Sequence, residues 1–214
     1  MSGSSLNLSL YAVTDRRWAQ SREGLLAQIQ EALEGGITCL QVREKDLSRA
    51  AFLEEVKAIR DLCAPYGVPV IVNDNVDLAL EAQADGVHLG KEDMPIGEAR
   101  KILGPKAILG ASARTIADAQ AAEAAGASYL GVGACFPTHT KADAKGISPE
   151  LLAEIAGSVS IPVVAIGGIT LQNVGELDGT GIDGIAVVSA IFGAPQVKEA
   201  CQALRHFVDT HFVK

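Results

Sequence analysis

The sequence predicts an α/β fold, a closed (β/α)8 TIM barrel built as a single domain. Three observations lead there: eight short apolar runs, a helical pattern after each of them, and recurrent glycine joins just ahead of the runs. The runs are residues 8–14 (LSLYAVT), 38–43 (TCLQVR), 69–73 (PVIVN) and 86–89 (GVHL), then 107–111 (AILGA), 129–133 (YLGVG), 162–166 (PVVAI) and 185–189 (IAVVS). Most are apolar almost throughout, as parallel strands covered on both faces must be.

Helical patterns fill the intervals. Residues 24–33 stop at Gly35-Gly36, a helix end followed by a turn. Residues 50–63 bury Leu53, Val56, Ile59 and Leu62 on one face, and Ser48 is placed to cap them. Residues 77–83, 96–103, 115–125, 149–155 and 196–213 complete the series; 171–177 is short and broken by Gly175. The joins E-G-G, A-D-G, A-G-A and T-G-I-D-G put Gly35, Gly86, Gly126 and Gly181 before strands, a repeated unit within one chain. An open doubly wound sheet is the alternative, but no G-x-G-x-x-G opens the first helix. At about 27 residues per repeat the 214 residues leave no room for a second domain, with residues 1–7 expected as an N-terminal extension.

Composition narrows the function. An apolar fraction of 48% excludes disorder, and a net charge of −8 with no basic run speaks against nucleic acid. No apolar stretch approaches the roughly 18 residues a membrane span needs, and residues 1–7 carry no export pattern. Cys39, Cys63, Cys135 and Cys201 form no C-x-x-C, which suits reduced, buried thiols in a cytoplasmic protein. The oligomeric state is not readable.

Barrel chemistry sits where strands end. Here those ends carry Asp15-Arg16-Arg17, Arg43-Glu44-Lys45-Asp46, Asn73-Asp74-Asn75, Lys91-Glu92-Asp93, Ser112 with Arg114, Thr138-His139-Thr140-Lys141, Gly167-Gly168 and Ser189. Loops are polar wherever they meet water, but mixed cations and carboxylates at one mouth ask for more than that. Gly167-Gly168 and Ser189 suit a phosphate between the last two loops. Arg43, Lys45 and Lys141 make a cationic set against the global charge, with Arg43 and Lys45 on one face if the strand extends that far. Asp74 and Asp93, on neighbouring strands, suit Mg²⁺ shared with a substrate phosphate; Asp74 as a helix cap is the competing reading. His88, inside an apolar run, is expected as a hydrogen-bonded barrel residue rather than a base.

Segments 10–15 (LYAVTD), 41–46 (QVREKD), 72–95 (VNDNVDLALEAQADGVHLGKEDMP), 110–112 (GAS), 131–146 (GVGACFPTHTKADAKG), 162–169 (PVVAIGGI) and 184–191 (GIAVVSAI) together resemble the thiamine-phosphate synthase family. The likeness runs in order from the first strand to the last. It implies transfer of the 4-amino-2-methylpyrimidin-5-ylmethyl group from its diphosphate to a thiazole phosphate or its carboxylated form. Thiamine phosphate and pyrophosphate would be the products. It further implies Gln41, Val42, Arg43, Glu44, Lys45, Asn73, Ser112 and Lys141 around the pyrimidine diphosphate, with Arg43, Lys45, Ser112 and Lys141 catalytic. Thr138, His139, Thr140, Gly168, Val188 and Ser189 would hold the thiazole phosphate, and Asp74 and Asp93 the Mg²⁺.

Loss of diphosphate from an electron-rich aminopyrimidine methylene is expected to be dissociative, so no side-chain nucleophile is needed. Three departures stand out: Val42 in place of leucine, Lys91 in place of glutamine, and Ala142-Asp143-Ala144 in the loop after T-H-T-K. The rival readings are a related thiazole tautomerase, a Schiff-base aldolase using Lys45 or Lys141, and a thiazole-phosphate-binding module.

Overall fold

Along each predicted strand, alternate side chains must fall on opposite faces of the sheet, so closing the sheet sorts one apolar run into two cores. In the computed structural model, which describes residues 6–137 and 146–212, that sorting is complete. The strands are β1 (Leu10–Val13), β2 (Cys39–Val42), β3 (Val70–Asn73), β4 (Gly86–Leu89), β5 (Ile108–Ala113), β6 (Tyr129–Gly133), β7 (Val163–Ile166) and β8 (Gly184–Val187). All neighbours pair in parallel, and β8 returns to β1 to close the barrel. Leu10, Leu40, Val70, Val72, Val87, Leu109 and Leu130 face outward into the layer between barrel and helices. Tyr11, Val13, Cys39, Ile71, Tyr129, Val164 and Ala186 face inward and fill the barrel.

The outer layer is α1 (Arg22–Glu34), α2 (Arg49–Cys63), α3 (Val76–Glu81), α4 (Ile96–Leu103), α5 (Ile116–Ala124), α6 (Pro149–Gly157), α7 (Ser189–Phe192) and α8 (Val197–His211). Ser48 caps α2 as expected, its hydroxyl accepting from the Ala51 amide at 3.3 Å. Two stretches differ from expectation. Between β7 and β8 there is no α-helix among the described residues; Val174–Leu177 makes a 3-10 turn instead, consistent with the Gly175 interruption. The eighth strand stops at Val187, and Ser189 already opens α7. Of the expected extension, residues 1–5 lie outside the described residues, while Leu6 packs against the barrel interior and Asn7 accepts from the Ser9 amide. No described helix is long and apolar enough to cross a membrane.

The glycine and aspartate joins noticed in the sequence have a common role at the N-terminal end of the barrel. Thr38, Asp85, Ser128 and Asp183 each stand just before an even-numbered strand. Each side-chain oxygen accepts from an amide at the start of the preceding odd-numbered strand: Leu10, Val70, Leu109 and Val163, at 3.1, 2.8, 3.1 and 2.8 Å. Each backbone amide donates back to the carbonyl of the same residue, at 2.8, 3.0, 2.6 and 2.8 Å. The fold thus repeats a two-strand unit four times, with donors that would otherwise be left unpaired at the barrel floor satisfied by a reciprocal clamp. After the aspartates only glycine fits: a Cβ on Gly86 would lie 1.9 Å from the Ile108 carbonyl oxygen, and on Gly184 2.0 Å from that of Leu8.

Candidate active site

At the C-terminal end of the strands the barrel opens into a cavity of about 360 Å³. β2 supplies its first wall. The strand ends at Val42, yet the alternation continues beyond it, so Gln41, Arg43 and Lys45 all line the cavity. The same alternation takes the intervening residues away. Val42 is buried in the outer core, and Glu44 turns to pair with Arg16, 3.1 Å away. Val42 and Glu44, both expected around the pyrimidine diphosphate, thus turn their side chains away from the cavity. Thr14, fully buried, holds the turn by accepting from the Arg43 amide at 2.9 Å. Asp15 lies close by. Its carboxylate is held below the usual range by the Arg17 side chain, against the opposing effect of burial.

β3 and β4 supply Asn73, Asp74 and Asp93, all on the cavity. Asp74 adopts φ +63°, a left-handed conformation that costs a non-glycine residue strain and that Asp tolerates better than most. The cap of α3 is Asn75, whose side chain accepts from the Leu78 amide, in place of the Asp74 cap that was the competing reading. Asp93 keeps one oxygen on the Gly90 amide at 2.7 Å. A Cβ on Gly90 would crowd that oxygen at 3.1 Å. Two carboxylates from adjacent strand ends, beside cations, fit Mg²⁺, which takes one or two carboxylates and fills its shell with water and substrate phosphate. Among the described residues no group of three or more His, Cys, Asp or Glu side chains is placed to hold a metal. Lys91 stands on the cavity rim, its ammonium 3.9 Å from Asp118.

Ser112 lies within β5 rather than after it, facing the cavity. Opposite, Gly167 and Gly168 take φ +100° and +67°, and a Cβ on Gly168 would meet the Pro137 carbonyl oxygen at 2.5 Å. Asn173 clamps this loop, donating to the Gly168 carbonyl at 2.9 Å and accepting from the Thr170 amide at 2.8 Å. Val188 and Ser189 line the cavity beside it. Thr138, His139, Thr140 and Lys141 lie outside the described residues.

The cavity floor adds two tyrosines that the sequence does not point to. Gln41 Nε2 donates to the Tyr11 hydroxyl at 2.8 Å, which is 2.7 Å from the Tyr129 hydroxyl. Tyr129 in turn meets His88 Nδ1 at 3.0 Å, and His88 Nε2 meets Ser112 Oγ at 3.0 Å. His88 is thus hydrogen-bonded in the barrel, as expected of it. Tyr11 and Tyr129 look like core within apolar runs; the signal that finds them is that inward parity on β1 and β6 brings them under Gln41 and Ser112.

Fold and cavity define a closed parallel barrel whose strand ends bring arginine, lysine and paired carboxylates to one opening. Within that class, the family profile described as thiamine monophosphate synthase matches residues 10–191, and the chain belongs to that family. It is 48% identical over 207 residues to the thiamine-phosphate synthase of Clostridium tetani, covering 97% of this chain and 99% of that one. It is 48% identical over 202 residues to that of Pyrococcus horikoshii, covering 94% and 95%. The structure of thiamine phosphate pyrophosphorylase from Pyrococcus furiosus superposes with a TM-score of 0.88 at 45% identity, over 96% of this chain and 98% of that one.

Proposed function

We propose that this chain is a thiamine-phosphate synthase. It transfers the 4-amino-2-methylpyrimidin-5-ylmethyl group from its diphosphate to a thiazole phosphate, or its carboxylated form, and releases pyrophosphate. Beyond family membership, one observation carries the reading: Arg43 and Lys45 line the same cavity as Asp74 and Asp93, with the glycine turn at Gly168 and Ser189 also on its wall.

In the reaction the bond between methylene carbon and diphosphate oxygen breaks first, and its electron pair leaves with the diphosphate. The cation left behind is delocalised into the aminopyrimidine ring. The thiazole nitrogen then donates its lone pair to the methylene carbon, forming the new C–N bond. Charge builds on the departing oxygens, so donors already aimed at them lower the barrier. Arg43 and Lys45 meet that charge from β2, Asn73 and Ser112 donate to it, and Gln41 orients the pyrimidine. Lys141, from the loop after β6, is assigned to the same leaving group, and Thr138, His139 and Thr140 to the acceptor with Gly168, Val188 and Ser189. Mg²⁺ held by Asp74 and Asp93 would neutralise part of the diphosphate charge. The barrel wall keeps water from the cation until the thiazole is in place.

The test is the purified protein with pyrimidine diphosphate, thiazole phosphate and Mg²⁺. One pyrophosphate is expected per thiamine phosphate, with loss of both on adding EDTA. Acceptor binding without pyrophosphate release, or isomerisation of the carboxythiazole without use of donor, overturns the proposal.

A further inference from the structure

The chain of hydrogen bonds beneath the cavity has a direction. An amide nitrogen donates and never accepts, so the Tyr11 oxygen is the acceptor from Gln41 Nε2. Tyr11 must then place its own proton. The Tyr129 oxygen at 2.7 Å takes it; the neighbouring Cys39 thiol, a weak acceptor, is the poorer choice. Tyr129 donates in its turn to His88 Nδ1, which leaves the imidazole proton on Nε2, pointing at Ser112 Oγ.

We infer that His88 is a positioning residue: the one-way chain from Gln41 holds its neutral ring with the proton on Nε2, and so turns the Ser112 hydroxyl into a donor aimed at the cavity. The site is built for this. On β5 and β6, Gly110 and Gly131 clear the barrel interior: a Cβ on Gly110 would lie 2.3 Å from the Tyr129 hydroxyl oxygen and 2.4 Å from His88 Nδ1. On Gly131 it would crowd His88 Cε1 at 3.1 Å. Burial raises the ionisation of both phenols well above its usual point, which keeps them as neutral relays. Donor polarity at Ser112 also suits an anion in a cavity lined by Arg43 and Lys45. The opposite polarity would put the imidazole proton on Nδ1 and make Ser112 donate inward to His88, away from any ligand.

Nitrogen-15 spectra of histidine-labelled protein at neutral pH, with the His88 signals assigned by their loss in His88→Asn, decide the tautomer. A protonated Nε2 and a bare Nδ1 are expected; a proton on Nδ1, or on both nitrogens, overturns the inference. This arm needs no substrate, so it stands whether or not the transferase reading does. The kinetic arm rests on that reading. Tyr129→Phe breaks the chain and is expected to lower kcat about tenfold with little change in KM for either substrate. In a Ser112→Ala background the same change is expected to do almost nothing, because its effect runs through Ser112. An equal loss in both backgrounds overturns the inference. Should Tyr129→Phe not fold, Tyr11→Phe breaks the chain one link earlier and is read the same way.

Discussion

The two ends of this barrel obey different rules. At the N-terminal end, Thr38, Asp85, Ser128 and Asp183 repeat one reciprocal clamp four times. At the C-terminal end nothing repeats: β2 ends in cations, β3 and β4 lead to carboxylates, β5 carries a hydroxyl, and the loop after β7 offers backbone through glycine. A closed sheet of equivalent strands gives every strand the same problem where it begins, an amide in need of an acceptor, and one solution serves four times. A substrate with a diphosphate at one end and a ring at the other has no such symmetry. Repetition therefore marks architecture, and its loss marks chemistry.

Breaking the asymmetric end should cost activity and leave the fold. Arg43→Ala is expected to lower kcat by about 10²- to 10³-fold, the effect of removing one donor aimed at developing negative charge. Its unfolding midpoint in urea should stay close to the parent's, since the Arg43 amide, not its guanidinium, makes the bond to Thr14. Steady-state pyrophosphate release reads the first and a denaturation curve the second. A small kcat change with a large midpoint shift would make Arg43 architectural and erase the contrast.

Breaking the symmetric end should do the reverse. Asp85→Ala leaves the Val70 amide without its acceptor and is expected to cost about 1–3 kcal/mol of stability. Once folded, the variant should turn over at the parent's kcat, because Asp85 lies at the far end of the barrel from Arg43. Urea unfolding and kinetics on the same sample decide it; lost turnover at unchanged stability would count against the division of labour between the two ends.

How far the sequence spoke depended on which periodicity carried the signal. The eight strands were legible because parallel strands covered on both faces leave continuous apolar runs, and the barrel follows from their number and rhythm. Strand ends were less so: the apolar run through residues 185–189 hides the backbone break at Val188, where φ −111° and ψ −81° leave the strand. Arg43 and Lys45 were legible as one face because alternation outlasts β2, and the same parity turns the side chains of Val42 and Glu44 away from the cavity. The clamp showed only as recurring glycine joins, since Thr, Asp and Ser share an acceptor oxygen but no letter. His88 was legible as a hydrogen-bonded barrel residue, but its partners Tyr11 and Tyr129 did not show, because an inward aromatic in an apolar run reads as packing until its hydroxyl partners, far away in sequence, are brought to it.

The smallest expected effect sets an acid at the active end against those of the clamp. Asp85 and Asp183 each accept from a strand amide. Glu44 is instead buried beside Glu55, both on the single guanidinium of Arg16, and Oε1 of each accepts no hydrogen bond among the described residues. Burial raises the Glu44 carboxyl above its ordinary range; Arg16 pulls it back, and the charge of Glu55 pushes it up again. A raised folded-state value means that Glu44 contributes stability below its unfolded pKa, and that this contribution is lost as pH rises through the folded pKa. Glu44→Gln keeps the shape without the titration. It should match the parent's stability in acid, where Glu44 is protonated, and gain on it as the pH is raised towards neutral. Urea midpoints of both proteins across that range measure the gap, which should widen with pH; a gap that narrows would mean that Arg16 outweighs burial and that this acid is as well served as those of the clamp.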